Sequence, residues 1–316
     1  MNKSSLVTGA AGFIGSHLVD QLLARGHRVI GLDNMTLGRR ANLESALQNK
    51  QFTFRELDVN NTADCLAFLQ QETAGRAIET VWHLAANSDI QAGGADPDLD
   101  FRLTFLTTHN VLKMMQSLNI PQIVFASTSA IYGANDSLLT EDTGPLLPVS
   151  NYGAMKLASE GCITAALERC LKRAWICRFP NVIGPRATHG VIFDLLKKLR
   201  ANPKELEVLG DGNQEKPYLH VKELVDAMLF LFERAPDRLN YYNIAPEAGA
   251  STVRFIAESV VKAAAPAAKI RYTGGSRGWV GDVPKFRYST AKLKALGWSP
   301  KLSSNQAVEL AIRENL

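Results

Sequence analysis

Cysteine is scarce: 316 residues contain four, at Cys65, Cys162, Cys170 and Cys177. No two form a Cys-x-x-Cys pair and none is grouped with histidines at zinc spacing, so neither a zinc site nor a disulfide-stapled scaffold is indicated. Reduced thiols and no bound metal are the expectation. Long apolar runs are missing as well. No window holds 18 consecutive apolar residues, so no spanning helix and no membrane partner are predicted. Met1-Asn2-Lys3 leads straight into an apolar strand pattern, from which no leader peptide and a cytoplasmic setting are expected. A dominant charge is absent too: 35 Lys and Arg against 31 Asp and Glu leave +4. That is too little to point to nucleic acid or an anionic membrane surface. Internal repeats are lacking, and the one low-complexity piece, Ala263 to Ala268, reads as a helix end and loop. Hydrophobic residues make up 46% and charged residues 21%, which excludes disordered, collagen-like and coiled-coil classes.

The first half alternates strand and helix patterns. Strands are predicted at Leu6 to Thr8, Arg28 to Asp33, Phe52 to Leu57, Thr80 to Ala85, Gln122 to Ser127 and Ala174 to Phe179. Helical patterns follow the first strand and fill 61–74, 100–118 and 152–171. Such alternation makes an α/β fold, a doubly wound parallel sheet of Rossmann type with helices on both faces. After residue 180 the rhythm loosens, with helices near 191–201, 220–234 and 252–264 between longer loops. Single cores stop growing near 250–300 residues. The predicted division is a large domain over 1–179, to which segments near 220–245 return, and a smaller mixed α/β substrate-binding lobe, mainly 180–316.

Thr8-Gly9-Ala10-Ala11-Gly12-Phe13-Ile14-Gly15 joins the first strand to the first helix. Gly9 permits the tight turn, Gly12 lets the backbone approach a pyrophosphate, and Gly15 lets helix and sheet pack closely. The helix N-terminus would receive the diphosphate. Asp33 ends the second strand 18 residues past Gly15, where its carboxylate suits the adenosine ribose hydroxyls and repels a 2′-phosphate. NAD is therefore expected over NADP. Arg39 and Arg40 read as a solvated loop. Asp58-Val59 stands where the adenine edge would be held, with helix N-capping as the plain alternative for Asp58.

Tyr152 and Lys156 are spaced i, i+4, so a helix places both on one face. A nearby ammonium lowers a phenol's pKa, which suits the tyrosine to act as a base. The fifth strand runs into Ser127-Thr128-Ser129-Ala130-Ile131-Tyr132-Gly133, bringing hydroxyls to the same crevice.

With these motifs the chain resembles the extended short-chain dehydrogenase/reductase superfamily, in particular its NAD-dependent nucleotide-sugar epimerases and dehydratases. It is most similar to the UDP-glucose 4-epimerases. Further markers are His83-Leu84-Ala85-Ala86, Arg178-Phe179-Pro180-Asn181-Val182-Ile183-Gly184-Pro185-Arg186, Gly210-Asp211-Gly212 leading to Tyr218-Leu219-His220-Val221, Tyr242-Asn243-Ile244, and Gly281-Asp282 before Leu296-Gly297-Trp298.

The resemblance implies that Thr128, Tyr152 and Lys156 are catalytic, with Tyr152 the acid/base and Lys156 on the nicotinamide ribose. It implies a cofactor site built from Gly9, Gly12, Phe13, Ile14, Gly15, Asp33, Asn34, Gly38, Asp58 and Val59. Leu84, Ala85, Ala86, Thr104 and Pro180 complete it. Ser88, Thr128, Asn181, Val191, Val208, Lys216 and Arg277 are implied for the substrate, a nucleotide sugar with UDP as its expected carrier. Some positions depart from the family pattern. Thr104 stands where asparagine is usual, Arg277 is displaced toward the chain start, and Asn87 to Gly94, which borders the hexose in the family, differs from the common version.

The implied reaction is 4-epimerisation, in which hydride leaves sugar C4 for bound NAD, a 4-keto sugar turns over, and hydride returns to its other face. A dehydratase carries an Asp-Glu pair where Ser129 and Ala130 stand, and neither of these can act as acid or base. Uronate epimerisation and decarboxylation remain as alternatives, and outside enzymes so does a catalytically inactive NAD-binding regulator. Phe101, Phe105, Val111 and Leu112 in one helix, and Leu157, Cys162, Ala165 and Ala166 in another, put apolar residues on more than one face. Relatives pair these helices across a two-fold axis, so a homodimer is expected.

Overall fold

The computed structural model describes residues 3–74, 76–135, 137–246, 249–275 and 286–316. Seven strands form one sheet: β1 (Ser4–Thr8), β2 (Arg28–Asp33), β3 (Phe52–Glu56), β4 (Thr80–His83), β5 (Gln122–Thr128), β6 (Arg173–Phe179) and β7 (Leu239–Asn243). Their spatial order is β7-β6-β5-β4-β1-β2-β3, and every neighbouring pair is parallel. The order reverses between β1 and β4, and a doubly wound sheet opens its ligand crevice at such a point.

Among the described residues, eight long helices surround the sheet and build the second lobe: α1 (Phe13–Ala24), α2 (Thr62–Glu72), α3 (Thr107–Ser117), α4 (Asn151–Leu167), α5 (Val191–Ala201), α6 (Val221–Arg234), α7 (Val253–Ala264) and α8 (Ser304–Asn315). One face of the sheet is covered by α1 and α6, whose Leu18, Leu22 and Met228 share a core with Trp82 and Trp175. The other face is covered by α2, α3 and α4, where Cys65, Leu69, Met114 and Ile163 pack with Phe125. A third core joins α5, α7 and α8 through Leu195, Ile256, Val260 and Val308, around Leu206 of the short strand Glu205–Val208. That strand pairs with Lys269–Tyr272, outside the large sheet. No helix among the described residues is long and apolar enough to cross a membrane.

Two expectations are corrected and one alternative is set aside. The periodicity predicts one helix over 100–118, yet the chain forms a short helix at Pro97–Asp100, a π-helical stretch at Phe101–Leu106, and only then α3. Thr107 Oγ1 donates to the carbonyl of Arg102, five residues back, at 3.1 Å, a bond that supports the wider turn. Asp58 is not the cap of α2. Asn61 is, its side chain accepting the N–H of Asp64. Finally, Val111, Leu112 and Ala166 are buried in the chain's own core, and Leu157 packs with Ile131 and Tyr132. Of the extra apolar positions, Phe101, 46% exposed, and Ala165 remain outside, with Phe105 and Cys162 half-buried.

Candidate active site

A cleft of about 1000 Å³ runs along the carboxyl ends of the strands and is lined on the second lobe by residues such as Val191, Val208 and Lys216. Its floor is the turn after β1. Gly9 has φ +73°, and a Cβ there would lie 2.8 Å from the amide nitrogen of Ala85. A Cβ at Gly15 would lie 2.0 Å from the Gly9 carbonyl oxygen. Helix, turn and the residues after β4 therefore interlock through bare backbone. Gly12 is the N-cap of α1, and no side chain caps its first N–H groups. The first turn carries no acidic residue either, so the donors and the dipole are left facing the cleft.

Asp33 ends β2 with both oxygens held: Ala11 N donates to Oδ2 at 2.9 Å and Met35 N to Oδ1 at 2.8 Å. Burial pushes this carboxyl up, and those backbone donors pull it back toward its ordinary range. Gly38 fits beside it because a Cβ would lie 2.6 Å from Oδ1. Asp58 accepts from Asn34 Nδ2 at 3.2 Å, which ties the ends of two neighbouring strands. Phe13, Ile14, Val59, Leu84, Ala85, Ala86 and Pro180 complete the lining expected for the cofactor.

The start of α4 is fixed by Ser150, whose hydroxyl accepts the N–H of Gly153 at 3.1 Å. Gly153 is where a Cβ would lie 2.7 Å from the Ala130 carbonyl oxygen, so the helix abuts the turn after β5. This brings Tyr152 beside Thr128, whose hydroxyl favours the ionised phenol. Lys156, 2% exposed, donates from Nζ to the Ala126 carbonyl at 2.7 Å. Its Nζ lies 5.9 Å from the centroid of the Tyr152 ring. Burial pulls the Lys156 ammonium down to about 7, with Glu160 and Asp100 opposing. Burial also pushes the Tyr152 phenol above its usual value, and the Thr128 hydroxyl only partly offsets this. The expectation of a phenol lowered by a neighbouring ammonium is thus reversed: desolvation of the phenolate is the larger effect.

Behind the pair lies a second tie. Glu160 is held by a buried fork from Arg178, Nη2 at 2.7 Å and Nε at 3.1 Å, and also accepts from Ser127. His83 is buried and held down to about 3, hence neutral, bonding Thr8 at 2.7 Å and Thr108 at 3.0 Å.

Ser88, Asn181, Val191, Val208 and Lys216 all line the cleft. Thr104 does not. It is fully buried, and its hydroxyl accepts the N–H of Asn87 at 3.2 Å, so it supports the wall instead of facing a ligand. Arg277 lies outside the described residues. Two cross-cleft contacts were not foreseen: His189 Nε2 with the Ser88 carbonyl at 3.2 Å, and Arg39 over the Phe193 ring at 5.9 Å. They join residues distant in sequence and carry no motif.

Comparison with known proteins adds to this geometry. The model of the NAD dependent epimerase/dehydratase family matches residues 5–245. A UDP-glucose 4-epimerase of Mycolicibacterium smegmatis is 32% identical over 230 residues, 71% of this chain and 72% of that protein. The crystal structure of the Thermotoga maritima UDP-glucose 4-epimerase with UDP-glucose is 28% identical. It superposes with a TM-score of 0.86, covering 99% of this chain and 98% of that one. The Thermus thermophilus UDP-glucose 4-epimerase in complex with NAD is 30% identical, with a TM-score of 0.83 and 98% of both chains covered.

Proposed function

The chain belongs to the NAD dependent epimerase/dehydratase family and takes NAD as its cofactor, and from that premise we propose that it is a 4-epimerase of a UDP-hexose. The observation that carries the proposal is the grouping of Thr128, Tyr152 and Lys156 on one cleft wall, with Ser129 and Ala130 beside them and no acidic pair. The residues fit NAD. The uncapped start of α1 and the turn without room for a Cβ would hold the diphosphate, and Asp33 the adenosine ribose.

When bound, NAD supplies reversible acceptance of the C4 hydride, and its positive nicotinamide ring adds to the charge that favours the phenolate. Tyr152 takes the proton of the sugar 4-hydroxyl and later returns it. A buried phenol that rests neutral suits this exchange, because it must be left in the same form at the end of each turnover. Thr128 stands beside the phenol, its hydroxyl favouring the ionised form, and Lys156 holds the nicotinamide ribose. Asn181 and Lys216 reach the substrate diphosphate, and Ser88 borders the hexose. Dehydration would require an acid to expel the 6-hydroxyl and a base at C5, and Ser129 and Ala130 offer neither. UDP as the carrier is supported by the UDP-glucose bound to the Thermotoga relative. The apolar residues left outside, Phe101 and Ala165 with Phe105 and Cys162, support a homodimer formed through the outer faces of the 101–117 segment and α4.

Proton NMR of UDP-, GDP-, CDP- and dTDP-hexoses incubated with the NAD-loaded chain in D2O tests the proposal. Inversion at C4 of a UDP-hexose, with every carbon-bound hydrogen unlabelled, is the expected result. Deuterium at C5 or C6 with a 4-keto-6-deoxy product would overturn it.

A further inference from the structure

We propose that His189 is a latch at the mouth of the cleft, whose bond to the Ser88 carbonyl keeps the 4-keto sugar inside until hydride has returned to it. The proposal rests on the 4-epimerase reading of the preceding section. That reaction has one vulnerable moment. The C4 hydrogen has passed as hydride to NAD+, the 4-hydroxyl proton has passed to Tyr152, and the sugar is a ketone with no covalent tie to the chain. If the ketone leaves then, a UDP-4-ketohexose is free in solution and its two electrons stay behind as NADH. The chain can then accept no hydride from the next hexose. Retention is therefore a requirement of the chemistry, separate from the acid–base work of Tyr152.

The structure holds a strap and a catch. After the strand Asn181–Ile183, residues 184–190 run to the start of α5. The first part of this strap is pinned. Asn315 Nδ2 of α8 donates to the Gly184 carbonyl at 3.1 Å, and His17 Nε2 of α1 to the Pro185 carbonyl at 3.1 Å. Arg186 pairs with Asp20 of α1 at 2.8 Å and has φ +69°, a left-handed conformation that side chains disfavour and that the pins maintain. Three residues on, His189 Nε2 donates to the Ser88 carbonyl at 3.2 Å. A carbonyl only accepts, so Nε2 carries the hydrogen, and Nδ1 of the neutral ring accepts from the Thr188 hydroxyl at 3.3 Å.

The catch is fixed in place. Ser88 lies in a turn tied at three points: Asn87 N donates to the Thr104 hydroxyl at 3.2 Å, Asn87 Nδ2 to Asp100 Oδ1 at 2.8 Å, and Asp89 N to Asn87 Oδ1 at 3.0 Å. Ser88, Thr188, His189 and Gly190 all line the cleft, and Ser88, His189 and Gly190 are also exposed. Residues that face both cleft and solvent stand at its mouth, whereas Lys156 lies deep and is 2% exposed. The bond thus joins two segments 101 residues apart across the opening. An exposed hydrogen bond adds little to folding stability, so its effect is expected in passage through the mouth and not in melting.

The test separates the donor from the bulk of the side chain. NAD-loaded full chains of wild type, His189→Ala, His189→Phe and His189→Gln are run with the UDP-hexose. NADH left on the protein is read by its absorbance. Ketone in the protein-free filtrate is captured with borodeuteride, which places deuterium at C4. Both should accumulate about fivefold faster in His189→Ala, the factor that one hydrogen bond is worth. His189→Phe fills the space without a donor and should leak like the Ala variant. His189→Gln restores an N–H and should stay near wild type. Equal leakage from His189→Ala and wild type overturns the latch. So does a Phe variant as tight as wild type, or a Gln variant as leaky as Ala. Passage itself is read without turnover in Tyr152→Phe chains, where bound and free UDP-hexose should exchange about fivefold faster once His189→Ala is added. Affinity should move less than this rate, because entry and exit share the mouth. Unchanged exchange overturns the proposal. Failure of the premise shows separately, in the D2O experiment of the preceding section, which does not depend on His189.

Discussion

The two walls of the cleft are built by different means. On the β1–β2 side the wall is backbone: Gly9, Gly15 and Gly38 approach carbonyl, amide and carboxylate atoms at distances that leave no room for a methyl group. On the sugar side the wall is made of helix starts and loops, joined across the gap by a bond from exposed His189 to the Ser88 carbonyl and by Arg39 resting on Phe193. The first wall has one shape and suits a ligand that never changes. The second can change one side chain at a time without disturbing the sheet. That is where related folds can diverge in the sugar they accept while sharing a cofactor.

The largest effect is expected where the two walls meet. Tyr152→Phe should lower kcat by about 10²–10⁴-fold, the range general acid–base catalysis contributes. Because the floor of the cleft is untouched, the NAD content of the purified protein should match wild type. Simultaneous loss of NAD would show that the walls are not independent. Gly15→Ala comes next. Its Cβ would stand 2.0 Å from a backbone oxygen that cannot rotate away, and overpacking of this kind costs about 1–3 kcal/mol or more. A lower Tm together with substoichiometric NAD is expected, and a variant that melts and loads like wild type would remove the claim of a rigid floor. His189→Ala should have the smallest effect. An exposed group holding one carbonyl should leave stability within about 0.5 kcal/mol, with KM changed by about threefold or less. A loss as large as that of Gly15→Ala would mean that the sugar wall is as stiff as the floor.

The same contrast explains what was legible in the sequence. Glycines that meet backbone leave a spacing, so the turn from Thr8 to Gly15, the acid Asp33 and the Tyr152–Lys156 pair could be read directly. Alternation predicted the sheet and its parallel sense. The contact of His189 with Ser88 was not legible, because it joins residues 101 apart and leaves no spacing. Thr104 was assigned to the cofactor by position, although its hydroxyl turns to Asn87. The break in the helix over 100–118 coincides with a threonine hydroxyl reaching five residues back, which no periodicity encodes. One miss did carry a signal. Ser303 and Gln306 form a capping box, the mark of the start of α8, just before an apolar periodic run.

β7 reaches the sheet only after the chain from Pro180 to Arg238 has been laid down, and it pairs along the whole of its length with β6. The order of synthesis therefore matters. A ribosome that has released residues up to Phe179 holds a sheet whose last strand is an open edge, with unpaired backbone groups along one side. Helix α6, which covers Trp82 and Trp175, is also still to come. Half of the molecule cannot settle before much of the other half exists. A fragment cut at Phe179 to obtain a minimal cofactor-binding module would keep the glycine turn and lose both the strand that shields the edge and the helix that covers the face, and its expected fate is aggregation.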